Sequence, residues 1–181
     1  ETDMEKLDVL KQGRPLDCDL KVKLYYDILD DLQIAYQRLD LKALSLNEDI
    51  KRIDDILETR AIKNLLFRTL SKRNPRYFMI ILFSDERFDT HAFRNKYQLP
   101  KIEMVLEDEL KSLLHTHSGA VSIIELFHDV ENQINLYIQE DVSKQTYFRF
   151  HPNDEDTLLR IKTKDLMETL IPFLHHTCHI F

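Results

Sequence analysis

Two apolar runs, residues 62–70 and 77–83, stand either side of Ser71-Lys72-Arg73-Asn74-Pro75 and constrain this chain more than any other feature. Each run is rich in branched and aromatic residues, and the separator is rich in turn formers. The pair therefore predicts a β-hairpin. Alternate residues of a strand share a face, so Lys63, Leu65 and Phe67 point one way and Ile62, Asn64 and Leu66 the other. Both faces are largely apolar and both need cover. Lys63 and Asn64 interrupt that pattern. An unpaired buried ammonium is costly. Lys63 must therefore snorkel to the surface from a strand end, or meet an anion such as a substrate phosphate or a developing oxyanion. Both readings stay open on these residues alone.

The flanking sequence predicts strands and helices interspersed without a regular βαβ rhythm. Leu20, Leu24, Ile28 and Leu32, with Tyr25 beside them, repeat at helical spacing over 19–32, and residues 34–40 read as a short strand. Asn47 is placed to cap a helix running to Leu57. A helix over 89–97, a strand over 102–105 and a helix over 107–115 follow. Strands are predicted at 134–138, 147–150 and 158–161. Thr163 caps a last helix to about residue 174, and an apolar, strand-like tail ends the chain. The fold class expected is α+β: a single domain with one mixed, mostly antiparallel sheet curled into an open barrel and flanked by helices. Residues 1–18, polar and containing Gly13 and Pro15, read as a loosely attached leader to a domain spanning 19–181.

A length of 181 residues suffices for one domain with a core. No apolar run approaches the ~20 residues that span a bilayer, and the N-terminus lacks a basic-then-apolar export pattern. A cytoplasmic setting is expected, with Cys18 and Cys178 as free thiols. The net charge of −7 argues against a general nucleic-acid binder, but its distribution is uneven. Residues 61–100 hold 8 bases and 3 acids, and include Lys63, Arg68, Lys72, Arg73, Arg76, Arg87, Arg94 and Lys96. This island suits a phosphate backbone or a solvated hairpin whose charges guard an edge.

Three further positions invite chemistry. Gly119 is one of only two glycines and the only one inside the expected domain. Either its φ is positive or something approaches its backbone closely, and Ser118-Gly119-Ala120-Val121-Ser122 could present N–H groups to a carbonyl oxygen. His151 precedes Pro152, which holds it extended at a strand exit. His115-x-His117 and His175-His176-x-x-His179 suggest metal only superficially, because no cysteine or carboxylate completes a set. No glycine-rich phosphate cradle and no GxSxG elbow is present.

Taken in order, these segments resemble one family. Lys63-Asn64-Leu65-Leu66-Phe67 is similar to its KNLFL, Gly119-Ala120-Val121-Ser122 to its GxVSP loop, and Phe150-His151-Pro152-Asn153-Asp154 to its FHPND. Residues 32–40 resemble its LGIPYE-like strand and 84–90 its GDKPFxT segment. The family is that of the YbaK-like, prolyl-tRNA-synthetase-associated editing domains. The resemblance implies a trans-acting, metal-independent hydrolase that deacylates mischarged aminoacyl-tRNA, first of all alanyl- or cysteinyl-tRNA for proline, assisted by the 2′-hydroxyl or by water and needing no cofactor. A non-catalytic tRNA- or synthetase-binding member is the alternative. The partners implied are the tRNA acceptor end and prolyl-tRNA synthetase, with no membrane and a monomer or weak dimer. The resemblance gives Lys63 the terminal phosphate or nearby oxygens, Asn64 the ribose or ester end, and the Gly119-Ala120 backbone the ester carbonyl. Ser122, His151 and Pro152 line the substrate pocket. Ile123 replaces the loop proline and Glu125 its second glycine. Glu125, Glu155 and Asp156 add negative charge where an anionic RNA end would dock.

Overall fold

The computed structural model describes residues 9–44 and 52–181. The predicted hairpin is β3 (Ile62–Thr69) and β4 (Tyr77–Phe83), antiparallel with Lys63 opposite Leu82 and Phe67 opposite Phe78. They belong to a five-stranded sheet ordered β5-β3-β4-β6-β9, with β5 at Ile102–Met104, β6 at Ile134–Ile138 and β9 at Cys178–Ile180. β5 and β3 run antiparallel to their neighbours, whereas β6 and β9 are parallel to β4. A second, antiparallel sheet orders β1-β2-β8-β7: Lys11–Gln12, Tyr36–Asp40, Thr157–Lys162 and Tyr147–Phe150. The α+β expectation holds. The strands divide between two sheets instead of forming one, and neither closes into a barrel.

Layering follows from which faces are apolar. β4 is buried throughout, as a strand covered on both faces must be. Tyr77, Met79, Ile81 and Phe83 enter the main core between the sheets, with Phe148, Phe150, Leu159 and Ile161 of the second sheet. Phe78, Ile80 and Leu82 enter an aromatic cluster on the outer face, under the helix α3 (Thr90–Tyr97), where Phe93 meets Tyr97 and Tyr137. A third cluster, including Leu39, Leu158, Ile56 and Leu57, covers the far side of the second sheet beneath α2 (Ile53–Leu57). The predicted cap Asn47 lies outside the described residues.

Helix α1 (Leu20–Asp31) is capped by Asp19, whose side chain accepts from the Lys21 N–H. It buries Tyr25, Tyr26, Ile28 and Leu29 and leaves Leu20 82% exposed. Of the expected stripe, Ile28 is buried and Leu24 and Leu32 pack against the main core, while Tyr25 and Tyr26 widen the inner face and only Leu20 turns outward. Helix α4 (Glu107–Leu114) buries Leu110 and Leu114. A short helix α5 (Glu140–Ser143) precedes β7, and residues 163–173 form the last helical segment, with a π turn over Leu166–Leu170.

Residues 9–18, expected in a loose leader, are tied down. β1 pairs with Arg38 and Gln37 of β2, Val9 and Leu10 pack in the third cluster, and Arg14 bridges Asp27 at 2.7 Å and also Asp30. Residues 1–8 lie outside the described residues.

Candidate functional site

The site grows from two loops. The first joins α4 to β6. His115 ends α4 in the left-handed region (φ 56°), and Ser118–Ala120 make one 3-10 turn. Ile123–His128 make a second, capped by Ser122. The other loop is the β7–β8 connection, His151 to Asp156. Asn153 adopts φ 60°, a conformation that asparagine tolerates. Its Nδ2 donates to the His115 carbonyl at 3.2 Å and to Glu125 Oε2.

Glu125 is the knot. It is fully buried, accepts from the Ser122 N–H and from Asn153, and so ties the first loop to the second. Burial pushes its carboxyl up to about 8, against the lowering effect of hydrogen bonds from Thr116, Asn153 and Ser122. At neutral pH this group is mostly protonated. The extra negative charge expected at Glu125 is absent from the surface. Ser122-Ile123-Ile124-Glu125 carries the S-x-x-E capping pattern, the one local signal that would have found this tie.

Gly119 does not need a positive φ. A Cβ there would lie 1.7 Å from Glu155 Oε1, so close approach is the reason for glycine, and the approaching group is a carboxylate. The same oxygen lies 3.7 Å from His117 Nδ1. Ala120 is buried and its N–H is taken by the His117 carbonyl at 2.9 Å, so it does not offer the free donor expected of it. His151 is half-buried, and its Nδ1 donates to the Thr157 carbonyl at 2.8 Å. That bond selects the Nδ1–H tautomer, in which Nε2 is the acceptor. Pro152 is buried beside it. Asp156 pairs with Lys42 at 2.9 Å.

Gly119, Ala120 and Ser122 are thus brought against the His151-Pro152 loop. The β3 pair divides. Asn64 shares its face with Ile62 and Leu66, which pack on the main core with Val121 and Ile123, and its Oδ1 is buried without a hydrogen-bond partner among the described residues. Lys63 shares its face with Leu65 and Phe67, on the outer aromatic cluster. β5 pairs with Phe67 to Thr69, so among the described residues β3 has an open edge at Lys63. Lys63, Lys72, Arg73, Arg76, Arg87 and Lys96 make no ion pair among the described residues, whereas Arg68 is bound to Glu109. Arg76 lies over the Phe78 ring at 5.5 Å and Lys96 over Tyr97 at 5.4 Å, both on the outer face.

A cluster that sequence reasoning missed lies beside the loops. Tyr25 Oη is 2.8 Å from His128 Nε2, and the His128 and His115 rings stack at 4.0 Å. Burial, aided by His115, holds His128 below the ordinary histidine value. No local pattern announces a contact between residues 103 apart. His176 is also buried, between the Leu174 carbonyl (2.6 Å) and Asp129 Oδ2 (2.8 Å), and is committed to the core.

Residues 43–169 match the family model of the aminoacyl-tRNA editing domain. The chain belongs to that family. It is similar to the prolyl-tRNA editing protein ProX of Acetoanaerobium sticklandii, 23% identical over 138 residues that cover 76% of this chain and 83% of that protein. Among solved structures, a candidate trans-editing enzyme for prolyl tRNA synthetase superposes with a TM-score of 0.58 at 12% identity, over 91% of this chain and 98% of that one. The hypothetical protein APE2540 superposes with a TM-score of 0.59 at 13% identity, over 82% and 92%. These two likenesses concern the fold. For an editing domain, the paired loops form a wall of backbone and histidine, and Asn64 faces the core from β3. No helix among the described residues is long and apolar enough to cross a membrane.

Proposed function

We propose that this editing domain deacylates mischarged aminoacyl-tRNA in trans, with alanyl- or cysteinyl-tRNA for proline as the first candidates. The observation that carries the reading is the joining of the Gly119 loop to the His151 loop through Asn153 and Glu125. Two family segments far apart in sequence thereby share one wall. In this reading the ester carbonyl lies along the Gly119 backbone, Asn64 holds the ribose end, and Ser122 and Pro152 shape the aminoacyl pocket. The lone pair on His151 Nε2 orients the attacking water or 2′-hydroxyl. Lys63, at the open edge of β3, holds a phosphate of the RNA end rather than the ester itself. An aminoacyl ester is intrinsically labile, so positioning and one oxyanion donor worth about 3 kcal/mol suffice without metal or a strong acid–base pair. Prolyl-tRNA synthetase is the natural partner, and a monomer or weak dimer the working state.

One observation favours a second reading, a binding member without turnover: the Glu155 carboxylate lies where an ester would approach Gly119. Deacylation of a panel of mischarged tRNAs separates the two. Wild type hydrolysing one of them, with at least a tenfold loss in Lys63→Ala, supports editing. Binding of tRNA with no hydrolysis of any member, also after Glu155→Ala, would establish the second reading.

A further inference from the structure

Between α1 and α4 lies a cavity of about 510 Å³, which meets the paired loops at His115 and Asn153 and otherwise lies outside the ester site proposed above. Leu20 and Leu24 give it an apolar wall, and the buried Tyr25 and the His128 that it contacts also line it. Lys21 and Lys111 reach it from opposite helices, and Asn153 closes the side next to the paired loops. His115 is exposed, with one ring face stacked on His128 at 4.0 Å.

We propose that this cavity is a nucleotide subsite, taking a nucleoside 5′-monophosphate unit. Three features specify that chemistry. A planar shelf is present: the His115 ring is braced from behind by His128, itself held by the Tyr25 hydroxyl at 2.8 Å. A base stacking on such a shelf needs no hydrogen-bond readout. Two cations are available, since neither Lys21 nor Lys111 makes an ion pair among the described residues. Two ammonium groups on facing helices suit a phosphate. The wall is apolar where a ribose or base edge would lie, and Ser112 and Asn153 add neutral polar groups to the lining. The volume accommodates one nucleotide, not a duplex. Asn153 also donates to the His115 carbonyl, which joins the shelf to the loop wall at 3.2 Å.

The same chemistry could come from a free nucleotide or from the single-stranded 3′ end of an RNA. The second deepens the editing reading and rests on it; the first does not. The experiment titrates the full chain with 5′-AMP and, separately, with an uncharged RNA hairpin ending in CCA. Chemical-shift changes of His115 and His128 are followed. Saturable shifts of both rings are expected, with binding weakened about tenfold by His115→Ala and at least as much by Lys21→Glu with Lys111→Glu. Thermal melting confirms that these surface variants fold. Binding of AMP alone assigns a free-nucleotide site; tighter binding of the hairpin assigns the RNA end. Binding of neither ligand overturns the proposal, as does binding that the three variants leave unchanged. The editing reading is scored apart, by ester hydrolysis. Turnover without any effect of these variants sinks the subsite alone, and nucleotide binding without turnover sinks editing alone.

Discussion

A single buried carboxyl decides much about the site. Glu125 replaces a glycine of the family pattern, yet it is not a surface charge, because burial holds its proton on. Its folded value of about 8 stands above the ordinary 4.5. The folded state thus binds the proton more tightly than the unfolded chain, and this contribution to stability is complete below about pH 4.5 and fades as pH rises through 8. Glu125→Gln should flatten the fall of melting temperature between pH 5 and 8 and match or exceed wild type at pH 8. A variant equally destabilised at both ends would show that the group is ionised. At His151, Nδ1 is already committed to the Thr157 carbonyl, so the ring has one fixed orientation. His151→Ala should therefore change the ranking of amino acids removed by severalfold while leaving tRNA affinity within about twofold. A uniform loss across all esters would argue against a pocket-lining role.

Helix ends show how this chain manages almost without glycine. Gln33, Glu58, Gln98, His115 and His175 take the left-handed position just past helices, where glycine is the usual residue. At Gln98 the next N–H, of Leu99, closes back on the Arg94 carbonyl at 2.9 Å, as the motif requires. A side chain there costs about 1 kcal/mol relative to glycine. Glycine's greater freedom in the unfolded chain offsets part of that. Gln98→Gly should raise stability by about 0.5 kcal/mol, read as a shift of the urea midpoint at constant slope. At His115 the same conformation has a further result: its carbonyl faces Asn153 and its ring lies on His128.

At the scale of the molecule, charge and chemistry are separated by a sheet. The outer face of the five-stranded sheet carries Lys63, Arg76 and Lys96, with Lys72 and Arg73 at the hairpin tip, although the chain as a whole is acidic. The loop wall packs with the core on the inner side. If RNA lies along the basic face, log affinity should fall linearly with log salt, by about 0.9 per duplex phosphate neutralised. Arg73→Glu with Arg76→Glu should then reduce that slope and raise KM for charged tRNA at least tenfold, leaving kcat nearly unchanged. An unaltered slope would assign the basic face to solvation alone.

The amino-acid sequence by itself determined the hairpin, the order of nearly all described elements and the family segments around Lys63, Gly119 and His151. Those features rest on period-two or helical spacing and on turn chemistry, which act over a few residues. Only the tertiary structure decided that the strands split into two sheets and that α1 turns Tyr26 inward and Leu20 outward. It also decided that the Asn64 face of β3 meets the main core and the Lys63 face the outer aromatic cluster, took up the Ala120 N–H and removed the charge from Glu125. Those outcomes depend on which layers meet and how deeply a group is buried. The desolvation of a carboxyl, or a tyrosine meeting a histidine 103 residues away, exists only once the layers have closed.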